Sequence, residues 1–405
     1  MEIKQVPLSE IATIKGLIGG PFGSSLVNND YMPIGVPVIR GTNLGYGKYL
    51  GGEFAYVSNA KVAQDLARNI AIVGDVVFTQ RGTLGQVAIV PASAFEQYVI
   101  SQSQMRLRVN SSVAVSEYVY YACSSALFQK QVADNAISTG VPHINLGIVN
   151  RLTIPLPAVS EQQAIAEVLG AIDDKIAANT NLMETSADLA MALFEQSLTE
   201  HSMKKPLVEV TALLSRGITP VYTEELADSM MILNQKCVRG QRVDLGPGRR
   251  TRLAKVRSEK ILLPEDVVIN STGQGTLGRV ARWSGPDEIT VDSHITIVRF
   301  DGTKVDPTCG GFALMALQSE IEAMGEGSTG QTELSRIELG KLLVTLPSYE
   351  SSLALGKQLR SMMEVENAKA AENRTLAATR DALLPQLMSG KLRVCDAEKA
   401  VEAVV

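Results

Sequence analysis

Aromatic side chains make up only 5% of these 405 residues, with one tryptophan, four cysteines and three histidines. Each scarcity excludes something. Cys123, Cys237, Cys309 and Cys395 lie far apart, form no Cys-x-x-Cys pair and read as isolated reduced thiols. His143, His201 and His294 are equally scattered, so no metal site is expected. A single tryptophan, Trp283, leaves little surface for stacking a sugar. No run of 18 apolar residues suggests a membrane span. The N-terminal MEIKQVPLSEIATIK has neither an apolar signal core nor a small-residue cleavage site, which points to a cytoplasmic location.

Catalytic motifs are missing as well. No glycine-rich loop ends in Gly-Lys-Ser or Gly-Lys-Thr, and Gly82-Thr83-Leu84-Gly85 lacks the third glycine of a Gly-x-Gly-x-x-Gly loop. Neither a Gly-x-Ser-x-Gly elbow nor His-Glu-x-x-His occurs. The absence of any Pro-Pro dipeptide excludes the Asp/Asn-Pro-Pro-Tyr/Phe loop of N6-adenine methyltransferases. Pro286-Asp287-Glu288 and Asp173-Asp174-Lys175 run in the wrong order for a nuclease site. The chain reads as non-catalytic.

Taken as a total, the net charge of −5 argues against nucleic acid, but its distribution argues the other way. Glu161 to Glu200 holds eight acids against one base, Lys175, which more than accounts for the deficit. Residues 1–160 carry eleven bases and nine acids, and residues 201–347 carry eighteen of each. Within the latter, Arg239 to Lys260 has eight bases and only two acids. Local sign matters more than the total for a partner within a Debye length.

The acidic stretch is a long helix. Ile165, Leu169, Ile172, Ile176, Met183, Ala187, Ala190 and Phe194 recur in steps of three, four or seven, the seam of an amphipathic helix. Pro155 and Pro157 precede it, and Ser160 with Gln163 reads as a capping box. Its length would be ~60 Å at the helical rise per residue.

The rest of the chain repeats itself. Asp75-Val76-Val77-Phe78 is echoed by Asp266-Val267-Val268-Ile269, Gly82-Thr83-Leu84-Gly85 by Gly275-Thr276-Leu277-Gly278, and Ser138-Thr139-Gly140 by Ser328-Thr329-Gly330. Leu156-Pro157 recurs as Leu346-Pro347, and Ala192-Leu193-Phe194 as Ala382-Leu383-Leu384. The unit is a mixed α/β domain followed by a long helix. In the first copy strands are expected at Val36 to Arg40, Asp75 to Phe78 and Gln86 to Val90, a loop at Gly19 to Ser25, and one helix at Glu117 to Asp134. The second long helix, roughly Ser351 to Met388, carries a stripe at Leu355, Leu359, Met362, Val365, Leu376, Leu383 and Leu387, and Pro385 should kink it or end it early. Two arrangements stay open. The helices pair antiparallel, with Asn179 and Asn181 near the seam to fix register, or each covers its own domain.

Polar, glycine-containing loops at strand ends occupy matched positions in both copies and suit hydrogen bonding to base edges and phosphates. In the first copy the candidate DNA-binding residues are Arg40, Thr42, Asn43, Gln80, Arg81, Thr83, Ser138, Thr139, His143 and Asn145. In the second they are Asn234, Gln235, Lys236, Arg239, Arg249, Arg250, Arg252, Asn270, Ser271, Thr272, Gln274, Thr276, Ser328, Thr329, Gln331 and Thr332.

These blocks, with Ile154-Pro155-Leu156-Pro157 leading into Glu161-Gln162-Gln163 and with Leu383-Leu384-Pro385-Gln386-Leu387-Met388-Ser389-Gly390-Lys391-Leu392, resemble the DNA specificity subunit of Type I restriction–modification enzymes. The resemblance covers nearly the whole chain, although the second copy reads Leu346-Pro347-Ser348-Tyr349-Glu350 where the first has Pro-Leu-Pro. It implies a duplicated α/β (α+β) fold. Target recognition domains would occupy residues 1–159 and 201–347, separated by long antiparallel coiled-coil spacer helices at 160–200 and 348–392, with a tail at 393–405. Each domain would read one half of a split DNA target. Partners would be two modification (methyltransferase) subunits and restriction/translocase subunits, and S-adenosylmethionine, ATP and Mg would belong to them rather than to this chain. A spacer of ~60 Å is near two turns of B-DNA. The alternative is a carbohydrate- or peptide-binding adaptor with duplicated domains, which the scarcity of aromatics disfavours.

Overall fold

The computed structural model describes residues 3–93, 95–137, 140–325 and 333–402. The chain forms two compact units, one from Met1–Asn179 with Glu372–Val405 and the other from Thr180–Ala371.

In the first unit a four-stranded antiparallel sheet runs in the order Ala12–Gly19, Gln104–Val109, Val76–Thr79, Val87–Ile89. One face carries Val76, Phe78, Met105 and Leu107 into a core with Tyr118, Tyr121 and Phe128 of the helices behind it. The other face turns Val77 and Ala88 toward Ile39, Tyr98 and Ile100 of a second, five-stranded sheet. Burial on both faces explains why Val76-Val77-Phe78 is continuously apolar instead of alternating. The second unit repeats the order with Thr211–Arg216, Ile295–Phe300, Val267–Asn270 and Val280–Arg282. Its companion sheet has three strands, Arg249–Arg252, Ser229–Leu233 and Ile289–Val291.

The repeated sequence blocks have structural causes. Asp75 accepts the Ile72 N–H at 2.9 Å and both Arg108 donors at 2.8–2.9 Å, while Asp266 does the same for Leu263 and Arg299 at 2.6–2.8 Å. Gly82-Thr83-Leu84-Gly85 and Gly275-Thr276-Leu277-Gly278 are the turns of matching hairpins. Gly85 and Gly278 have φ of 90° and 80°, and a Cβ on either would collide, with Gln129 and with the Glu322 backbone respectively.

The long helices span Val159–Gln196 and Tyr349–Met388. They run antiparallel in each unit. In the first, Asp173 meets Arg380 at 2.7 Å and Asn179 meets Asn373 at 2.9 Å. In the second, Ala190 and Phe194 share a core with Leu359 and Met363. Each helix therefore contributes one half to each unit, which decides against one helix covering one domain. Ile165, Leu169 and Ile172 are buried with Leu376, Leu383 and Leu387, each such side chain contributing about 1.5–3 kcal/mol.

The structure corrects several of the expected elements. The helix expected from Glu117 to Asp134 is two, Ser116–Ser124 and Ala126–Asp134, because Ser125 is extended and its hydroxyl accepts the Phe128 N–H. Ser160 lies inside the first turn, since the Ala158 carbonyl already accepts the Glu161 and Gln162 N–H groups. Pro385 does not end the helix early. It sits in the last turn, and Gly390 at φ 67° follows the terminus. Met363 is buried where the sequence stripe has Met362, and Val365 and Asn181 are exposed. No helix among the described residues is long and apolar enough to cross a membrane.

Candidate nucleic-acid interface

Backbone bonds gather the candidate loops of the first unit at one end of its four-stranded sheet. The Gln80 and Arg81 N–H groups donate to the Ser103 carbonyl at 2.7 and 3.3 Å, and the Ile144 N–H donates to the Gln80 carbonyl at 3.0 Å. Arg81 also bridges His143 in antiparallel fashion. The second unit repeats three of these links. The Ser271 N–H donates to the His294 carbonyl and the Leu334 N–H to the Ser271 carbonyl, both at 2.8 Å, and Thr272 bridges Glu333.

A third loop joins each cluster. In the first unit Gly41 lies beside the Gln104 amide. In the second, Asn270 Nδ2 donates to the Gln235 carbonyl at 2.9 Å and the Gln235 amide donates to Thr272 Oγ1. Thr272 in turn bonds His294 Nδ1 at 2.8 Å. The framework is thus shared and the side chains on it differ, with Arg40, Arg81 and His143 in one unit against Asn234, Thr272 and Glu333 in the other.

Exposure sorts the candidates. Thr42, Arg81, Thr83 and Asn145 face outward in the first unit, with Arg40, Gln80 and His143 half-buried. The Asn145 oxygen caps the helix Leu146–Val149 by accepting the Ile148 N–H, as Ser335 caps Arg336–Lys341 in the second unit. Lys236, Arg239, Arg249, Arg252 and Gln274 are exposed in the second unit, while Asn234, Gln235, Arg250, Thr272 and Thr276 are half-buried. Asn43, Asn270 and Ser271 are buried and shape the loops from within. Asn43 donates to the Gly51 and Glu53 carbonyls, Asn270 to the Gln235 and Thr276 carbonyls, and Ser271 pairs with Thr296. Ser138, Thr139, Ser328, Thr329, Gln331 and Thr332 lie outside the described residues.

The basic segment divides in the same way. Arg250 is committed to Ser229, with Nε to the hydroxyl at 2.8 Å and Nη2 to the carbonyl at 2.9 Å. Arg249 stacks its guanidinium 3.5 Å from the Tyr222 ring centroid. Arg252 points outward from the edge of its sheet. On the acidic helix, Asp173 accepts from Tyr121 and Arg380, and Asp174 from Lys48, so these two carboxylates serve the fold.

Sequence reasoning missed Gln104 and Arg106. They alternate with Met105 and Leu107, so they face the space between the two sheets, and both are buried. Gln104 Nε2 and Arg40 Nε have no hydrogen-bond partner among the described residues. Burial lowers the Arg106 guanidinium below its ordinary pKa despite Asp75 at 3.8 Å. The signal in the sequence was the alternation of Gln104, Arg106 and Arg108 with Met105, Leu107 and Val109. Among the described residues, no group of three or more His, Cys, Asp or Glu is placed to hold a metal ion.

Residues 2–185 match the family described as the Type I restriction modification DNA specificity domain. A Methanocaldococcus jannaschii chain named as the putative MjaX Type I restriction enzyme specificity subunit is 23% identical, covering 97% of this chain and 96% of its own length. The HindI specificity subunit of Haemophilus influenzae is 26% identical over 37% of this chain and 33% of its own length. The crystal structure of a Type I restriction–modification S subunit from M. genitalium has the same fold, with a TM-score of 0.58 at 16% identity over 95% of both chains. Two copies of one sheet order, two long antiparallel helices and a family domain matched over residues 2–185 make this chain similar, over nearly its whole length, to Type I restriction–modification specificity subunits.

Proposed function

We propose that this chain is a specificity subunit that reads DNA through its two loop clusters, each taking one half of a bipartite, asymmetric target. One observation carries the reading. Both clusters are built on the same three backbone links but present different side chains, the arrangement expected of two readers with different sequences to read. Exposed Arg81, Thr83 and Thr42 in one unit, and Lys236, Gln274 and Arg252 in the other, supply donors and acceptors for base edges and phosphates.

In this reading the chain is non-catalytic and acts in the cytoplasm. It directs adenine methylation or DNA cleavage by two modification subunits and by restriction/translocase subunits, which would carry S-adenosylmethionine, ATP and Mg. The test is an exchange of residues 205–347 for the equivalent segment of another specificity subunit, with methylated adenines mapped in the host genome. One half of the methylated motif should change and the other should stay. A motif altered in both halves, or in neither, would refute the division of labour.

A further inference from the structure

Phe22 is the most exposed aromatic side chain among the described residues. It is 87% exposed, although a buried phenylalanine would contribute to a core. Its loop, Gly19 to Ser25, is nevertheless firmly held. A Cβ on Gly20 would collide with the Ser101 carbonyl, so glycine lets the chain press against that turn. Pro21 is buried beside it, and the Ser25 N–H closes a turn onto the Phe22 carbonyl at 2.9 Å. Beyond the ring, the Gln102 amide donates to the Leu26 carbonyl. The loop is therefore clamped at both ends to residues 101–102, and the adjacent Ser103 carbonyl holds Gln80 and Arg81. Gly19 itself lies 3.5 Å, measured from the position of a Cβ, from Gln80 Oε1. An exposed apolar ring on a clamped loop thus stands at the edge of the polar cluster.

The second unit differs. Gly217 is pressed in the same manner against the Val291 and Asp292 carbonyls. The aromatic residue that follows, Tyr222, is covered by the Arg249 guanidinium 3.5 Å from its centroid. One unit presents a bare ring and the other a ring capped by a cation.

Resting on the DNA-reading function above, we infer that Phe22 is a wedge that inserts between two stacked base pairs in the half-site read by the first unit. Proteins that open a base step commonly do so with an apolar side chain, and base–aromatic stacking repays the opening. The wedge would give specificity to the first half-site through the ease of unstacking one step, in addition to hydrogen bonds from Arg81 and Thr83.

The test uses the full chain with its co-purified partners and duplexes carrying the methylated motif, with 2-aminopurine placed in turn at each purine of both half-sites other than the methylated adenines, which the modification subunits would themselves extrude. Wild type should raise the fluorescence at one step of one half-site only. Phe22→Ala should abolish that rise and weaken binding about 10-fold with an unchanged salt slope, while Phe22→Trp should retain both. Wild-type binding with no fluorescence rise at any position, or Phe22→Ala binding as wild type does, overturns the wedge while leaving the reading function intact. Loss of a co-purifying protein from Phe22→Ala, with DNA binding unchanged, would instead make the ring a protein contact and also overturn it. A wild-type complex that does not distinguish the motif from random duplex would refute the reading function itself.

Discussion

Asn179 donates its side-chain amide to the Asn373 side-chain oxygen at 2.9 Å, joining the two long helices through a pair of polar residues. Asn373 also donates to the Ile176 carbonyl at 3.4 Å, and Asn179 is only 4% exposed. A buried amide pair satisfies itself only in one register, since a slip by a turn would part the two amides. Asn373→Leu should therefore destabilise the chain by about 1–3 kcal/mol in urea unfolding, far more than Asn181→Leu at the exposed neighbouring site. Equal costs at the two positions would remove the register role.

Asp75 and Asp266 are nearly fully buried, and each holds an arginine and a backbone N–H. Replacing either by alanine leaves a partly buried guanidinium uncompensated and a turn unclosed. Each substitution should cost about 3–5 kcal/mol, read from thermal or urea unfolding of the full chain. A loss under about 1 kcal/mol at both positions, the level of an exposed ion pair, would mean that the repeated block persists for another reason.

The three neighbouring arginines of the second unit should behave differently from one another. Arg252→Ala should lower the slope of log affinity against log salt by about 0.9 while leaving the preferred sequence unchanged. Arg250→Ala should mainly destabilise the three-stranded sheet, because its guanidinium already holds Ser229. An unchanged salt slope for Arg252→Ala would rule out a phosphate contact there.

Alkaline pH should weaken the first unit. Burial raises the Tyr120 hydroxyl to about 12 and also holds Tyr118 and Tyr121 above the ordinary value of 10.0, with Asp173 adding to it at Tyr120 and Tyr121. In the unfolded chain these groups ionise near that ordinary value, so their stabilising effect is complete below it and is lost as pH rises toward the folded-state values. The slope should approach about 1.4 kcal/mol per pH unit for each tyrosine, or roughly 4 kcal/mol per unit for the three together. Unfolding free energies between about pH 9 and 11.5, with tyrosinate absorbance followed in parallel, would check it. An unfolding free energy that stays constant across that range would contradict the prediction.

The duplication, the two long helices and the Asp-Val-Val strands are legible in the residues themselves. Their signals are local: a helical period, an apolar run, and blocks recurring at nearly constant spacing. Even the Gly-Thr-Leu-Gly turns announce themselves, because two positive-φ positions admit little besides glycine. Other features depend on partners distant in sequence. Asn43 and Asn270 read as base contacts by residue type, but burial turns their amides onto loop carbonyls. Asp173 reads only as part of an acidic stretch until Tyr121 and Arg380 close on it. Antiparallel pairing of the helices is one of two arrangements the residues leave open, and only the contacts of Asn179 with Asn373 and of Phe194 with the Leu359 core decide between them. A single helix carries the pattern of its own apolar stripe, while the identity of what covers that stripe is a property of the folded chain.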